Sequence, residues 1–439
     1  MSKNLQKKIS NILIILLLLM CFTATGYAKS TGKETLPSLP KTSSRSVVVL
    51  NAKNGNILYS KDGDMTIYPA STGKVLTAIV AIENAKLDEV ITVSANALKG
   101  QEKGGAHIAL EAGEKITMKD ALYGLLLASG NDCAIAIAEH ISGSEKEFAK
   151  LMNKKADELN LINSHFVTSS GLYDKNHFSC AADLATITNY AIKNPDFLKI
   201  FGSLKHVIKP SNKDKEKKVL YNSHRMLKFK SYEYDGVIGG KRGYITESRF
   251  NLITYAKRGE IELICVTGKG DSQEDNLKDT TKLFDYYFDN YKSINIGNKI
   301  NGKEISEILK TKGYLLSRSE TNTDTITSLL PKNKDVSDLT FSFTAYTDVN
   351  YPISKGTIIG EITMLCDNKS ISSVPLYAAS DIMSPKASQF RLIIISSIIL
   401  ILLLILLFIS VLYLRKSQRK KREIVNKRIQ RRYNKHNSK

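Results

Sequence analysis

The sequence predicts an α+β domain, in which an antiparallel sheet adjoins a cluster of helices, followed by a small all-β domain and a C-terminal transmembrane helix. Hairpin patterns occur near both ends of residues 46–290, and helical patterns fill the interval between them. After residue 291 short strand patterns alternate with turns. Residues 392–414 carry no charge and are long enough to cross a bilayer, which takes about 20 residues of helix.

The first 28 residues have the layout of a secretory signal peptide. Three lysines precede an apolar stretch at residues 12–22, and small residues ending at Ala28 provide a cleavage site. The bulky residue before Cys21 argues against a lipoprotein signal. Residues 29–45 are rich in Ser, Thr, Pro and Lys, and we predict that they form a linker.

Two hairpins are predicted in the α+β domain. Asn54-Gly55 lies between the apolar runs Val47–Leu50 and Ile57–Tyr59, which is a strong signal for a tight turn between two strands. Residues 250–256 and 261–267 form the second pair of apolar runs, joined by a short polar turn.

The helices are predicted from apolar runs and from capping residues. Thr117 with Asp120, and Ser144 with Glu147, have the spacing of capping boxes at helix starts. The runs that favour helix are residues 75–82, 121–141, 145–159 and 276–291. In the small all-β domain, residues 340–346 and 357–364 read as strands.

The charge distribution is explained by topology. Residues 415–439 hold twelve Lys or Arg and one Glu, and such density beside a membrane span marks the cytoplasmic side. Of the formal net charge of +20, the tail contributes +11 and the leader +3, which leaves about +6 for the rest. The surplus therefore argues against nucleic-acid binding and for a tail that meets anionic lipid.

Four cysteines remain after signal cleavage: Cys133, Cys180, Cys265 and Cys366. Their spacing matches neither a metal site nor a redox pair. We expect small buried apolar side chains, although an oxidising compartment leaves a disulfide open. We predict neither a metal nor a cofactor.

The tetrapeptide Ser-Thr-Gly-Lys occurs twice, at Ser30–Lys33 and at Ser71–Lys74. The first copy precedes a proline-containing linker without apolar periodicity. The second runs into an apolar helix, so that Ser71 lies at a helix N-terminus with Lys74 one turn on, on the same face. A neutral lysine amine there can deprotonate the serine for attack on a carbonyl group.

Two further motifs follow in the sequence. Ser129 and Asn131 bring a hydroxyl group and an amide to a turn between apolar helical stretches, where they can relay a proton and bind a peptide carbonyl. Lys241, followed by Gly243, is predicted to start an edge strand that lets a substrate backbone approach.

Taken together, these motifs resemble the three signatures of the serine penicillin-recognising enzymes. Their order and spacing are similar to those of the low-molecular-mass penicillin-binding proteins, the D-alanyl-D-alanine carboxypeptidases. Residues 68–72, 128–132, 170–184 and 352–360 also resemble that family. The resemblance covers residues 46–381 and implies a penicillin-binding/β-lactamase-like transpeptidase domain before the β-rich module.

The resemblance also implies a role for each motif residue. Ser71 would attack the carbonyl group between the two terminal D-alanines of a peptidoglycan stem peptide, with Lys74 as general base. Ser129 would pass a proton to the leaving D-alanine, and Asn131 would position the substrate. The backbone N–H groups of Ser71 and Tyr244 would form the oxyanion hole.

The third signature departs from the family pattern. The family has Lys-Thr-Gly, whereas this chain has Lys241-Arg242-Gly243. Lys241 would attract the terminal carboxylate of the substrate. Residues 268–277 also lack the arginine that relatives carry there. We therefore hypothesise that Arg242 supplies this guanidinium group and binds the carboxylate; in the alternative, it blocks the cleft and weakens activity.

There are three alternative functions. A class A β-lactamase needs a Glu three residues before a Leu-Asn pair as the base for deacylation; here Ala156 stands at that position before Leu159-Asn160, which argues against efficient lactam hydrolysis. For a weakly active or inactive penicillin-binding, peptidoglycan-binding membrane protein, Arg242 argues in favour and the intact Ser71, Lys74, Ser129 and Asn131 argue against. A transpeptidase uses the same motifs, which do not distinguish water from an amine as acceptor.

The complete prediction is a serine-type D-alanyl-D-alanine carboxypeptidase on the outer side of the cell membrane, anchored by one span. Its partners would be D-Ala-D-Ala stem peptides, β-lactam antibiotics as covalent inhibitors, and the lipid bilayer. The predicted layout is signal peptide 1–28, linker 29–45, catalytic domain 46–290, β-rich domain 291–380, tether 381–391, transmembrane helix 392–414 and cytoplasmic tail 415–439.

Overall fold

The computed structural model describes residues 36–228, 230–297, 327–346, 351–366, 369–378, 380–381 and 385–436. The predicted signal peptide and the first Ser-Thr-Gly-Lys copy lie outside the described residues. The chain divides into two compact units. The first holds the chain up to Ile294 together with Leu329–Asp338, and the second holds the remainder.

The helices and strands alternate irregularly along the chain. In order they are β1 (Ser46–Asn51), β2 (Ile57–Lys61), α1 (Lys74–Asn84), β3 (Val90–Thr92), β4 (Lys115–Thr117), α2 (Met118–Leu127), α3 (Asn131–Ser142), α4 (Glu145–Glu158), α5 (Ala181–Ala191), α6 (Pro195–Phe201), β5 (Lys205–Ile208), β6 (Lys218–Tyr221), β7 (Val237–Ile245), β8 (Arg249–Arg258), β9 (Ile261–Gly270), α7 (Gln273–Asn290), β10 (Tyr291–Asn295), β11 (Thr327–Pro331), β12 (Leu339–Ala345), β13 (Ile358–Cys366), β14 (Lys369–Tyr377) and α8 (Pro385–His436).

A five-stranded antiparallel sheet with strand order β2-β1-β9-β8-β7 organises the first unit. Strand β1 is buried along its whole length because both faces of the sheet are covered. Val48 belongs to a core shared with helices α1 to α6, whereas Val47 packs with Phe284 of α7. The predicted antiparallel sheet beside a helical cluster is confirmed, with α7 as an additional layer on the opposite face.

The local signals read from the sequence are largely confirmed. Both hairpins form, and β8 and β9 extend further than predicted. Thr117 Oγ1 accepts from the backbone N–H of Asp120 (3.1 Å), and Ser144 Oγ accepts from that of Glu147 (3.2 Å). Helix α7 begins three residues before the predicted start, because Ser272 caps it.

The end of the predicted linker contacts the first unit. Ser44 is buried, and its backbone N–H and hydroxyl both donate to Asp279 Oδ2, at 2.7 and 2.8 Å. The backbone N–H of Ser43 donates to the same oxygen atom at 2.9 Å. These bonds fasten the chain to α7 immediately before β1.

The second unit contains the antiparallel sheet β12-β13-β14, which confirms the predicted strands near residues 340–346 and 357–364. Helix α8 is 52 residues long, and its segment Leu392–Lys427 contains an apolar stretch long enough to cross a membrane. Its apolar side chains are exposed, so they do not form a core within the described chain.

The four cysteines in the described residues are free and buried, as predicted for small apolar side chains: Cys133, Cys180, Cys265 and Cys366. In the described part of the chain, no group of three or more His, Cys, Asp or Glu side chains is arranged to hold a metal ion.

Candidate active site

Ser71 lies in a single turn of 3₁₀-helix that runs directly into α1. The preceding segment is clamped by Asn251, whose Nδ2 donates to the carbonyl oxygens of Tyr68 (2.8 Å) and Pro69 (3.3 Å). The predicted position of Ser71 at a helix N-terminus is confirmed, with a first turn tighter than that of an α-helix.

The Lys74 amine is fully buried and lies among three oxygen atoms. Nζ is 2.9 Å from Ser71 Oγ and 2.8 Å from Asn131 Oδ1, and it donates a short hydrogen bond to the carbonyl oxygen of Ser170. The amide and carbonyl oxygens can only accept. A neutral amine therefore donates both of its protons to them and keeps its lone pair for the hydroxyl group of Ser71.

The electrostatic surroundings of Lys74 favour this neutral form. Burial lowers the pKa of its amine from 10.5 to about 7, while the charges of Cys133, Asp132 and Glu145 oppose that effect. A pKa near neutrality gives the amine a large neutral fraction at physiological pH, which suits a general base.

Ser129 and Asn131 occupy the connection between α2 and α3, as predicted. Asn131 is the first residue of α3, and its backbone N–H donates to the carbonyl oxygen of Ala106 at 2.8 Å. Ser129 has a φ of 65° and Ala70, beside the nucleophile, a φ of 50°. Such left-handed backbone in non-glycine residues stores strain and is typical of functional sites.

Strand β7 forms the free edge of the sheet and carries the third motif. Lys241 is the fifth of its nine residues, so the prediction that it starts the strand is wrong; its buried side chain is nevertheless on the edge strand. Its Nζ has no hydrogen-bond partner among the described residues. Burial lowers its pKa well below the usual value, and the charges of Lys74 and Arg242 lower it further.

Alternation along β7 separates its side chains into two sets. Lys241 and Gly243 are buried, whereas Arg242 and Tyr244 are exposed. The Tyr244 ring packs at a tilt against Phe250 of β8, with ring centroids 4.5 Å apart. Within the described chain, no carboxylate lies within ion-pair distance of Arg242.

Gly243 brings β7 against the Ser71 turn. A Cβ atom at this position would lie 3.0 Å from the backbone nitrogen of Ser71 and 2.9 Å from the carbonyl oxygen of Pro69. The close approach requires glycine and brings the strand beside the Ser71 N–H, one of the two oxyanion donors that the family resemblance implies.

These residues surround one cleft of about 150 Å³. Ser71, Ser129, Arg242, Gly243 and Tyr244 all line it. The sequence motifs, separated by up to 170 residues, therefore meet at a single site.

Three contributors were not predicted from the sequence. The Ser170 carbonyl oxygen binds Lys74, and Gly171, with a φ of 79°, packs so closely on Ala70 that a Cβ atom would lie 2.0 Å from its carbonyl oxygen. Asn251 clamps the nucleophile segment. Of these three, only Gly171 has a signal in the sequence, because a glycine indicates a position where the backbone can adopt a positive φ.

Comparison with known proteins identifies the family. A family model described as D-alanyl-D-alanine carboxypeptidase matches residues 33–271, and a second, described as penicillin-binding protein 5, C-terminal domain, matches residues 321–384. The D-alanyl-D-alanine carboxypeptidase DacF of Bacillus subtilis is 31% identical over 382 residues, which are 86% of this chain and 95% of the relative.

Solved structures support the same fold. The D-alanyl-D-alanine carboxypeptidase of Mycobacterium tuberculosis is 28% identical, with a TM-score of 0.53 over 58% of this chain and 95% of that chain. Penicillin-binding protein 5 of Haemophilus influenzae matches with a TM-score of 0.61, covering 79% of this chain and 99% of that chain; at 24% identity it bears on the fold alone. The chain thus belongs to the D-alanyl-D-alanine carboxypeptidase family of serine peptidases.

Proposed function

We propose that the protein is a serine-type D-alanyl-D-alanine carboxypeptidase, which removes the terminal D-alanine from peptidoglycan stem peptides. One observation carries the proposal: the buried Lys74 amine lies 2.9 Å from Ser71 Oγ while two fixed acceptor oxygens take its protons. This arrangement is what a hydroxyl nucleophile with an amine base requires.

In the acylation step, the lone pair of Lys74 removes the proton of Ser71 Oγ as that oxygen bonds to the carbonyl carbon of the penultimate D-alanine. The carbonyl oxygen becomes an oxyanion between the backbone N–H groups of Ser71 and Tyr244. Each such donor is worth about 3 kcal/mol in the transition state. The C–N bond then breaks, and the proton on Lys74 passes through the hydroxyl group of Ser129 to the departing amine of D-alanine.

In the deacylation step, neutral Lys74 takes a proton from the attacking water, the ester bond to Ser71 Oγ breaks, and Lys74 returns that proton to Ser71. Asn131 contributes by keeping the Lys74 amine oriented through the 2.8 Å hydrogen bond. A β-lactam would acylate Ser71 in the same way, because its amide carbonyl takes the place of the scissile peptide bond.

Lys241 and Arg242 would bind the terminal carboxylate of the substrate. Lys241 Nζ is buried without a hydrogen-bond partner in the described part of the chain, and the carboxylate would supply one. We propose that Arg242 compensates for the missing threonine by adding a guanidinium group to the same cleft.

The test of Arg242 is the variant Arg242→Thr, which restores the usual family residue. We expect the KM for a D-Ala-D-Ala peptide to rise about tenfold, because one charged hydrogen-bond partner of the carboxylate is lost. An increase in turnover in this variant would contradict compensation and favour the blocked-cleft alternative.

The test of the overall function uses the full-length chain in detergent with a pentapeptide stem, and measures released D-alanine. We expect turnover in the wild type and none in Ser71→Ala. Covalent labelling by a fluorescent penicillin should show the same dependence on Ser71. A wild type that neither labels nor releases D-alanine would contradict the proposal.

We further propose the domain layout predicted from the sequence, with α8 as the membrane anchor and residues 415–439 in the cytoplasm. The exposed apolar residues of Leu392–Lys427 support a bilayer contact. Export of the catalytic unit accords with a substrate in the cell wall.

A further inference from the structure

A second groove lies in the catalytic unit, away from Ser71. It has a volume of about 540 Å³ and is formed by the β3–β4 pair, the start of α2 and the β5–β6 hairpin. Its lining includes Val90 and Val207, which are 55% and 42% exposed, together with Ile116. An apolar floor left open to solvent in this way is a feature of binding surfaces.

Three exposed lysines line the groove, Lys115, Lys119 and Lys209. Four more exposed lysines belong to the β5–β6 hairpin that forms one side of it: Lys205, Lys213, Lys215 and Lys217. None of the seven forms an ion pair with any other described residue. We call these seven residues the lysine rim. By contrast, Lys218 of the same hairpin pairs with Glu114 and Asp214.

The acidic groups nearby do not neutralise the lysine rim. Asp120 lines the groove, and its carboxylate binds His206 Nε2 (2.6 Å) and Thr117 Oγ1 (2.8 Å). With Lys218 included the region holds eight lysines, and the five acidic residues Glu111, Glu114, Asp120, Asp214 and Glu216 leave a surplus of three positive charges. The surface therefore has an excess of positive charge that an anionic partner would complement.

The groove is connected to the candidate active site by one helix. Lys119 is the second residue of α2, and Ser129 lies two residues beyond its end. Ten residues at a rise of about 1.5 Å place them roughly 15 Å apart, if the helical rise is extended to Ser129. An extended peptide covers that distance in about five residues at roughly 3.3 Å each.

We propose that the lysine rim binds the carboxylate-bearing stem peptides of polymeric peptidoglycan while a neighbouring stem occupies the cleft. The inference rests on the proposed function, since a wall polymer presents many stems that each end in a carboxylate. Lysine side chains are flexible and can therefore reach carboxylates of irregular spacing. The apolar floor of the groove suits the methyl groups of alanine. Simultaneous contacts would raise the affinity for the polymer without changing the cleft.

The tip of the hairpin is not suited to insertion into a membrane, although its strands expose Val207, Val219 and Tyr221. The tip between β5 and β6, residues 209–217, contains no aromatic or large aliphatic side chain. Surfaces that insert into the interface use such residues beside their lysines.

The test compares two substrates in the full-length protein. The triple variant Lys115→Glu, Lys119→Glu and Lys209→Glu should raise the KM for insoluble peptidoglycan about tenfold and leave kcat/KM for a soluble pentapeptide unchanged. The matched control reverses the charge of three exposed lysines outside the groove, Lys146→Glu, Lys154→Glu and Lys278→Glu. This control should behave as the wild type.

Binding is measured separately from turnover. Ser71→Ala protein should co-sediment with insoluble peptidoglycan, and the groove triple variant in that background should not. Unchanged kinetics and sedimentation would overturn the inference, as would an equal loss on both substrates. If the triple variant loses binding only to peptidoglycan that still carries phosphate polymers, and not to peptidoglycan freed of them, the inference would be overturned in favour of a phosphate ligand. Absence of D-alanine release by the wild type from either substrate would instead refute the proposed function.

Discussion

At the scale of the residue, the role of Lys74 depends on how its amine is oriented and whether it is protonated. The Asn131 and Ser170 oxygens fix two directions around Nζ, so the third direction points to Ser71. A protonated amine would have to donate in all three directions and could not accept the hydroxyl proton. The working state of the site therefore depends on a single proton.

The first prediction concerns this proton. Since burial lowers the pKa of Lys74 to about 7, acylation by a fluorescent penicillin should slow as the pH falls below about 7. The limiting slope should be roughly tenfold per pH unit, because one proton must leave before reaction. A rate that stays constant from pH 5 to 8 would exclude Lys74 as the base.

The second prediction concerns Gly243. A methyl group there would press on the Ser71 nitrogen and the Pro69 carbonyl, so Gly243→Ala should slow acylation by about 100-fold. Gly73→Ala is the matched control in the nucleophile turn, because its methyl group would have contacts no closer than 3.6 Å. Comparable acylation rates in the two variants would show that β7 can move away without cost.

At the scale of the element, the segment between α4 and α5 holds the Ser170 carbonyl against Lys74. Buried His177 organises that segment: its Nδ1 accepts from the backbone N–H groups of Val167 and Thr168, each at 3.1 Å. Its ring therefore carries the proton on Nε2. A second proton on Nδ1 would convert the acceptor into a donor facing two donors.

The third prediction follows from this segment. Burial lowers the pKa of His177 to about 4, below the value of about 6.5 in an unfolded chain. The unfolded state therefore takes up a proton first, and stability present above pH 6.5 is lost as the pH falls towards 4, by about 3 kcal/mol.

His177→Asn supplies the comparison, since its amide oxygen can accept a hydrogen bond but does not titrate. The melting temperature of the variant should fall less between pH 7 and pH 5 than that of the wild type. Parallel decreases in both proteins would assign the acid sensitivity to other groups, among them buried His224, whose pKa is also lowered to about 4 by burial.

The elements that the sequence predicts well are those with local causes. The Asn54-Gly55 turn and the caps Thr117 and Ser144 act within a few residues, so their chemistry is visible in the sequence. The Ser170 carbonyl group belongs to the backbone and lies 96 positions from Lys74 in the sequence, so no side-chain pattern predicts its contact with the amine. Lys241 was predicted at the wrong point of its strand because strand ends depend on pairing with β8.

At the scale of the whole molecule, the catalytic unit and the long helix α8 have opposite surface chemistry. The unit buries most of its apolar residues, whereas residues 392–414 expose theirs. We proposed above that a bilayer covers this apolar surface, which confines the enzyme to the face of one membrane.

The fourth prediction tests that confinement. A chain ending at Asp381 should appear in the soluble fraction, and its kcat/KM on a pentapeptide should stay within about twofold of the full-length value. The full-length chain should remain in membranes after a carbonate wash. Release of the full-length chain by that wash would reject an integral anchor.

The free edge of β7 has a consequence for solubility. A strand kept open for a peptide can also pair with the same strand of another copy, which is a route to aggregation. Arg242 puts a fixed charge in the middle of that edge, and two copies meeting there would bring like charges together. The residue that departs from the family signature therefore also protects an exposed strand at high protein concentration.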